Sequence, residues 1–144
     1  MQTLVAAADP ANVKPIIMIV DSTPKQRAAW HLMCQIVHVR HHFVGVDSAL
    51  GRLAEGFAVA GVVLDHDLAE GTAITAEKFR FLQELMKLSY SGPLVGANLH
   101  PDGQQQFMLL HVAIRLGIPL LLDDNPDVNG LGYSDILRWC ADHH

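Results

Sequence analysis

Apolar residues along this chain form short runs that alternate with segments of helical periodicity. The runs are rich in valine, isoleucine and leucine and end in polar or charged residues, a pattern typical of strands buried on both faces. Between the runs, apolar residues recur every three or four positions, as they do on one face of an amphipathic helix. The predicted strands are residues 15–21, 42–46, 61–68, 94–98 and 118–122.

Capping residues and helix breakers set the limits of five predicted helices. Proline suits the first turn of a helix, Ser, Thr and Asp suit the position before it, and glycine suits the position after its end. On these signals the helices are Pro24–Val37, a second capped by Asp47 or Ser48 and ending at Gly56, a third capped by Thr75 and ending near Ser89, a fourth opening at residues 101–103 and closed by Gly117, and a last one capped by Ser134.

Five strands that alternate with five helices predict an α/β fold. Right-handed crossovers then favour a parallel sheet with helices on both faces. The chain has 144 residues, which suits one domain with a sizeable core. We assign residues 1–14 to an N-terminal arm, because they contain a proline and show no sustained period, and residues 15–144 to the domain.

Charge and hydropathy exclude several classes of function. The net charge is −5 and no long basic run is present, which argues against a reader of duplex nucleic acid. No apolar run approaches the roughly 20 residues of a membrane span, and the start does not resemble a secretory signal. We therefore expect a cytoplasmic protein without a membrane segment. Cys34 and Cys140 fall among apolar residues of predicted helices, so we expect reduced, buried thiols.

The candidate chemistry lies where the predicted strands end. Asp65 and Asp67 close the third strand, and Asp21 closes the first. In an open α/β sheet, ligands bind in the crevice outside the carboxyl ends of the strands. Asp65 and Asp67 are therefore expected at a functional edge.

Three motifs at these strand ends resemble those of a known family. Residues 20–27 (VDSTPKQR) hold an acid followed by proline and arginine, residues 45–50 (GVDSAL) lead into a helix through an Ala-Leu pair, and residues 64–68 (LDHDL) end the third strand. Over residues 15–142 the chain resembles a receiver domain of two-component response regulators. The resemblance implies a flavodoxin-like (CheY-like) three-layer sandwich with a five-stranded parallel sheet in the order 2-1-3-4-5.

The resemblance also implies an atypical single-domain signalling module of the phosphorelay type. Asp65 falls on the phosphoacceptor, and Asn98 falls on the polar switch contact at the end of strand four. Asp21, Asp65 and the carbonyl of Asp67 could supply the oxygen ligands that Mg²⁺ prefers, so Mg²⁺ is the implied cofactor. The implied partners are a histidine kinase, a phosphotransfer protein or a downstream regulator.

The sequence departs from the family pattern at three positions of this edge. Ser22 replaces the second acid of strand one, and Asn98 replaces a serine or threonine. Strand five should end in a lysine and a proline, but residues 122–126 read LDDNP, so acids occupy the place of the cationic partner. These departures favour an alternative, a pseudo-receiver that acts only as a protein-interaction scaffold.

A second resemblance suggests an enzyme. The strand end at residues 65–68 (DHDL), taken with residues 98–103 (NLHPDG), is similar to the cyclic-phosphate-processing receiver-like group. A metal-assisted phosphoester hydrolysis could use His66 and His100 as acid or base. That group has a histidine-serine pair where this chain has Ala97-Asn98. The strand period of two points His66 away from its neighbouring acids, which also fits a packed histidine.

Two further sets of residues are candidates for binding. In the receiver family, the face formed by the fourth helix, strand five and the last helix is the usual partner or dimer surface. The aromatic and apolar residues expected on this face are Phe107, Met108, Tyr133 and Trp139. A homodimer is one possible result of such a contact. His38, His41 and His42 lie close along the chain, and zinc is one explanation for them. Cationic histidines beside a helix C-terminus are the ordinary explanation.

Overall fold

A computed structural model describes residues 16–66, 73–99, 103–123 and 132–144 of the chain. In these ranges, five parallel strands form one sheet in the order β2-β1-β3-β4-β5, which confirms the predicted fold class and strand order. The strands are β1 (Ile16–Val20), β2 (His41–Val44), β3 (Val59–Asp65), β4 (Leu94–Ala97) and β5 (Leu120–Asp123), and the helices are α1 (Pro24–Val37), α2 (Val46–Ala54), α3 (Ala76–Lys87), α4 (Gln104–Leu116) and α5 (Gly132–His143).

The sheet is the middle of three layers. Helices α1 and α5 pack on one face, where Trp30 and Leu137 are fully buried. Helices α2, α3 and α4 pack on the other face, around Phe81 and Leu82. Each face therefore has its own apolar core, and the central strands are buried on both sides, as continuous apolar runs predict.

The strand register brings the carboxyl ends of the strands to one edge of the sheet. Val20 of β1 lies beside Leu64 of β3, and Asp65 lies beside Ala97 of β4. The next residues along the chain, Asp21 after β1 and Asn98 after β4, therefore flank Asp65. This is the edge where an open α/β sheet binds ligands.

Local capping explains where the helices begin and end. Thr23 and Gln26 form a capping box at the start of α1, and the Thr75 hydroxyl accepts the backbone N–H of Lys78 at the start of α3. Gly117 ends α4 in the left-handed conformation, with φ of 65°. The predictions for α1, for the Thr75 cap and for closure by Gly117 are confirmed.

Several boundaries differ from the sequence-based prediction. Helix α2 begins at Val46, with Gly45 in the capping position, rather than after Asp47 or Ser48. Val46 is buried, and its packing against the core extends the helix towards its N-terminus. Helix α5 begins at Gly132, so Ser134 lies inside its first turn and is buried there.

Helices α1 and α4 leave several large apolar residues exposed. On α1 the large apolar residues Leu32 and Ile36 are exposed, at 52% and 57% of their surface. On α4, Phe107, Leu110 and Ile114 are exposed as well. Helix α4 packs on the sheet through another face, on Leu109 and its neighbours. An added Cβ at Gly96 would overlap a Leu109 methyl group, so glycine allows this close approach.

Both cysteines are buried in the core on the α1 and α5 side of the sheet and are free thiols. Burial raises the pKa of Cys34 and of Cys140 to about 12. They pack as small apolar side chains, in agreement with the sequence-based expectation.

Within the described ranges, no helix combines the length and the apolar character that a membrane crossing requires. The predicted arm, residues 1–14, lies outside the described residues.

Candidate functional site

Polar side chains from three neighbouring strands meet at the carboxyl edge of the sheet. Asp65 ends the central strand β3, and the Asn98 amide donates a hydrogen bond of 2.8 Å to its Oδ1. Asp21 follows the neighbouring strand β1, and its Oδ2 lies 3.7 Å from the Lys78 ammonium. The charge of Lys78 also acts on the Asp65 carboxyl. The structure therefore brings Asp21, Asp65 and Asn98 together, with a lysine from α3 among them.

The Asp65 carboxylate is enclosed by hydrogen-bond donors. It has no exposed surface. Its Oδ2 accepts from the Ser22 hydroxyl at 2.7 Å and from the Trp30 indole N–H at 2.8 Å. Its Oδ1 accepts from Asn98 at 2.8 Å and from the Gln26 amide at 3.3 Å. Four donors therefore occupy the lone-pair directions that a carboxylate offers.

Helix α1 covers the side of the site on which Asp65 lies. The Trp30 ring is fully buried and packs edge-on against Tyr133 of α5, with ring centroids 4.4 Å apart. Gln26, one turn before Trp30, donates to Asp65 and also to the backbone carbonyl of His66 at 2.8 Å. Side chains from α1 thus fix both the carboxylate and the backbone that follows it.

Burial is the largest influence on the protonation of Asp65. It raises the pKa of the carboxyl above its ordinary range, because the charged form is removed from water. The hydrogen bonds from Asn98, Ser22 and Trp30 and the charge of Lys78 oppose this rise, since each of them favours the carboxylate. The net shift is upward.

This shift predicts how Asp65 makes stability depend on pH. The folded state holds the Asp65 proton more tightly than the unfolded state, so the stability gained by protonation is complete below the unfolded pKa of about 3.9. It is lost as pH rises through the folded pKa. Urea unfolding over this window should show the wild type losing stability relative to Asp65→Asn as pH rises. A relative gain by the wild type would contradict the upward shift.

Asp21 is the more open acid of the site. Its side chain is 36% exposed, and it borders a small depression of about 220 Å³ together with Ser22 and Arg27. Its backbone is left-handed, with φ of 63°, and Asn98 is similar with φ of 56°. Aspartate and asparagine tolerate this conformation better than most residues. Both strand ends therefore turn sharply at the site.

His66 lies on the other face of the sheet from the Asp65 side chain, as the strand period predicts. It is buried, with 1% of its surface exposed. Its Nδ1 lies 3.5 Å from the Lys78 ammonium, and its Nε2 lies 3.3 Å from the side-chain amide nitrogen of Gln105 in α4. An imidazole in this position cannot reach a substrate in solution. His100, the other histidine of the enzyme hypothesis, lies outside the described residues.

The described residues do not fit Mg²⁺ well. Asp67, expected to supply a carbonyl ligand, and Asp124 lie outside the described ranges. Within those ranges no three His, Cys, Asp or Glu side chains gather as a metal site would need, and this includes Asp123. Both oxygens of Asp65 are already hydrogen-bonded, and a buried ammonium contacts Asp21. Mg²⁺ stays a prediction, and a divalent ion would have to compete with Lys78.

The most informative residue that the sequence-based interpretation missed is Lys78. It occupies the buried face of α3 together with Phe81, Leu82 and Leu85, at helical spacing. The signal was present in the sequence, because a lysine three residues before a buried phenylalanine falls on the apolar stripe. Phe79, the next residue along α3, is 40% exposed, so the buried face of the helix runs through Lys78.

The histidines near β2 do not converge on a metal in the described part of the chain. His38 ends α1 in the left-handed conformation, while His41 contacts His31 of α1, with ring nitrogens 3.1 Å apart. His42 contacts Arg52 of α2. The pKa of His41 is lowered, first by burial and then by the neighbouring His31.

The four residues predicted for the partner face have different environments. Phe107 is 75% exposed on α4, and Met108 and Trp139 are partly buried. Tyr133 is only 2% exposed, so its assignment as an exposed partner-face aromatic is corrected. Its ring packs on Trp30, because the first turn of α5 lies against α1 at the carboxyl edge of the sheet. We call this edge, which carries Asp21 and Asp65, the acidic edge.

Comparison with known proteins supports the fold. No protein-family model and no curated protein matches the sequence. Among solved structures, the chain is similar to the signal receiver domain of a putative Luxo repressor protein from Vibrio parahaemolyticus, with a TM-score of 0.59 and 11% identity over 90% of this chain and 92% of that one. It is also similar to a flavodoxin from the domain Archaea, with a TM-score of 0.56 and 13% identity over 87% of this chain and 97% of that one. The chain therefore has the flavodoxin-like α/β fold of receiver domains (CheY-like).

Proposed function

We propose that this chain is a receiver-like signalling module that acts by binding another protein and accepts no phosphoryl group at Asp65. The enclosure of the Asp65 carboxylate is the observation that carries the proposal. A carboxylate nucleophile needs a free lone pair in line with phosphorus. Attack by Asp65 would require the loss of at least one internal hydrogen bond and an opening of the site.

The surface of α4 is the best candidate for the partner contact. Phe107 and Ile114 are 75% and 71% exposed, and Leu110 between them is 47% exposed. Their spacing places them on one side of the helix. A shallow groove of about 300 Å³ beside them is lined by Phe79 and Met108 among others. Exposed aromatic and aliphatic side chains next to a groove are typical of protein-binding surfaces.

The proposed surface is joined to the acidic edge through the first turn of α4. Gln105 is buried there, and its amide nitrogen donates to the Ala73 carbonyl at 2.9 Å and lies 3.3 Å from His66 Nε2. Gln105 is two residues from the exposed Phe107. A change at the edge that moved His66 would therefore act on the same turn that carries the contact surface.

Partners of several kinds would suit this face. The candidates are a histidine kinase, a phosphotransfer protein, a downstream regulator and a second copy of the chain. An apolar contact surface rather than a basic one makes duplex nucleic acid a poor partner.

Charges on this surface should abolish binding without affecting folding. In the double variant Phe107→Glu, Ile114→Glu, both side chains stay in solvent. We therefore expect the free energy of unfolding, measured in urea, to change by less than about 0.5 kcal/mol. Any self-association that the wild type shows in sedimentation velocity across a concentration series should be lost, and so should binding to any identified partner. The matched control is Leu32→Glu, Ile36→Glu on α1, where two apolar residues are also exposed. If this control disrupts the same binding and the α4 variant does not, the α4 surface is the wrong one.

The absence of phosphoryl transfer can be tested directly. Wild type and Asp65→Asn are incubated with a small acyl phosphodonor and Mg²⁺, next to a conventional receiver domain that confirms the donor is active, and intact masses are recorded. We expect no adduct on either form of this chain. An adduct on the wild type that Asp65→Asn abolishes would overturn the proposal and restore Asp65 as a phosphoacceptor.

A further inference from the structure

Lys78 is a cation buried among the acids of the site. Its residue surface is 1% exposed, although it belongs to a helix whose other charged residues face solvent. The Thr75 hydroxyl accepts its backbone N–H at 3.2 Å, which fixes this residue in the first turn of α3. The side chain therefore enters the molecule from a defined anchor point.

The Lys78 ammonium lies between groups that favour positive charge. Its Nζ is 3.7 Å from Asp21 Oδ2 and 3.5 Å from His66 Nδ1, and its charge acts on Asp65. A buried ammonium is costly unless it is paired with opposite charge. The Asp21 carboxylate supplies that opposite charge, and the charge of Lys78 in turn lowers the pKa of the Asp65 carboxyl. Lys78 therefore pairs with Asp21 and favours the charged form of Asp65.

A divalent ion would meet two obstacles at this edge. It would have to approach an ammonium that already contacts Asp21, and like charges at a few ångströms inside a protein repel strongly. It would also need oxygen ligands, and both oxygens of Asp65 already accept hydrogen bonds. Mg²⁺ demands near-octahedral oxygen ligands and gives up its water reluctantly, so a partly occupied ligand set binds it poorly.

From this geometry we infer that Lys78 supplies the positive charge of the acidic edge in place of a divalent metal ion. Its ammonium excludes Mg²⁺ and Mn²⁺ from the wild-type protein. The inference deepens the proposed function and rests on it in part. A site whose positive charge comes from a lysine lacks the divalent ion that phosphoryl transfer to Asp65 would use. The inference also accounts for the missing strand-five lysine. Positive charge reaches the edge from α3 instead.

Removing the charge should create a metal site. In Lys78→Met, a side chain of similar length keeps the packing but leaves Asp21 without its ion-pair partner and Asp65 without the favourable charge of Lys78. Mn²⁺ binding, followed by calorimetry and by water-proton relaxation, should become at least about tenfold tighter than in the wild type. Adding Asp21→Asn to this variant should remove the gain. Lys78→Arg keeps the charge and should show no gain.

Lys87→Met is the control for the loss of a lysine from the same helix. The Lys87 side chain is 73% exposed and pairs with Glu84 at the surface, so its removal should leave Mn²⁺ binding unchanged. If Lys78→Met fails to fold by circular dichroism, Lys78→Gln carries the test with the same expectation.

Two results would overturn the inference. One is Asp21-dependent Mn²⁺ binding by the wild type that is as tight as binding by the folded Lys78 variant. The other is a folded Lys78 variant that gains no metal affinity. Phosphorylation is measured separately by mass, so a wild type that binds metal but accepts no phosphoryl group would overturn this inference and leave the proposed function standing.

Discussion

Replacing Asp65 by alanine should lower the free energy of unfolding by about 4 kcal/mol, because buried donors lose their acceptor. The Trp30 indole N–H and the Asn98 amide are buried, and the loss of the Asp65 acceptor should cost about 1–3 kcal/mol at each. The indole N–H would be left unpaired, and the Asn98 amide would keep only its longer contact of 3.5 Å with the Tyr133 hydroxyl. Ser22 and Gln26 are partly exposed and can turn to water. Asp65→Asn should cost less than alanine, since its amide keeps an oxygen for Trp30. Urea unfolding at neutral pH measures both.

Asp47→Ala provides the matched control for the loss of an aspartate. The Asp47 side chain is 84% exposed and pairs with Arg80 at the surface, so the change should stay within about 0.5 kcal/mol. A phosphoacceptor that is open to solvent would behave like this control. If Asp65→Ala were as mild as Asp47→Ala, the internal acceptor role of Asp65 would be refuted.

Replacing Trp30 by alanine should cost about 3–5 kcal/mol, the range for emptying a buried aromatic site. The ring is fully buried, contacts Tyr133 edge-on and donates to Asp65, so packing and hydrogen bonding are lost together. Trp30→Phe separates the two effects. It keeps an aromatic ring but removes the N–H, and the loss of a hydrogen bond to a charged group should cost about 1.5–3 kcal/mol.

Leu32→Ala tests whether the Trp30 effect is specific to the buried face of α1. Leu32 lies two residues further along the helix and is 52% exposed, so we expect a change within about 0.5 kcal/mol. Thermal or urea unfolding of the three variants decides the matter. A Trp30→Phe protein as stable as the wild type would show that the indole hydrogen bond contributes nothing.

The fold could be predicted from the sequence because each signal was local. Apolar runs that end in polar residues predicted the five strands, and Thr23, Thr75 and Gly117 act as the caps that their residue types suggest. Strand alternation with helices then left few topologies. The meeting of Asp21 with Asp65 followed from topology alone, since neighbouring parallel strands end at the same edge of the sheet.

The state of the site could not be predicted in the same way. The enclosure of Asp65 depends on Trp30 and Gln26 of α1, which are 35 and 39 residues away in the chain and carry no motif. Lys78 was overlooked because a lysine is usually solvated, and its burial depends on Asp21, an acid from another element. Topology predicts which strand ends are neighbours, but side-chain packing decides whether the residues at those ends are accessible to solvent and ligands.

The side of α4 that packs on the sheet could not be predicted from periodicity. Apolar residues recur at helical spacing on more than one side of this helix, and periodicity alone cannot say which side packs on the sheet. Helix α4 packs on the sheet through the side that carries Val112 and Ala113, and the larger Phe107 and Ile114 stay in solvent. Tyr133 was assigned to the partner face because its aromatic character suggested an interface, but the fold buries it.

The indole N–H signals of the protein test the central claim, the enclosure of Asp65, most directly. The chain has two tryptophans, so a nitrogen–proton NMR spectrum contains two indole signals, and Trp139→Phe assigns the one from Trp30. We predict that the Trp30 signal is protected from solvent exchange, moves in Asp65→Asn, and does not change when beryllofluoride, a phosphoryl mimic, is added to the wild type with Mg²⁺. A Trp30 signal that shifts or exchanges rapidly on that addition, but only when Asp65 is present, would show that the carboxylate is free to accept a phosphoryl group and would contradict the account.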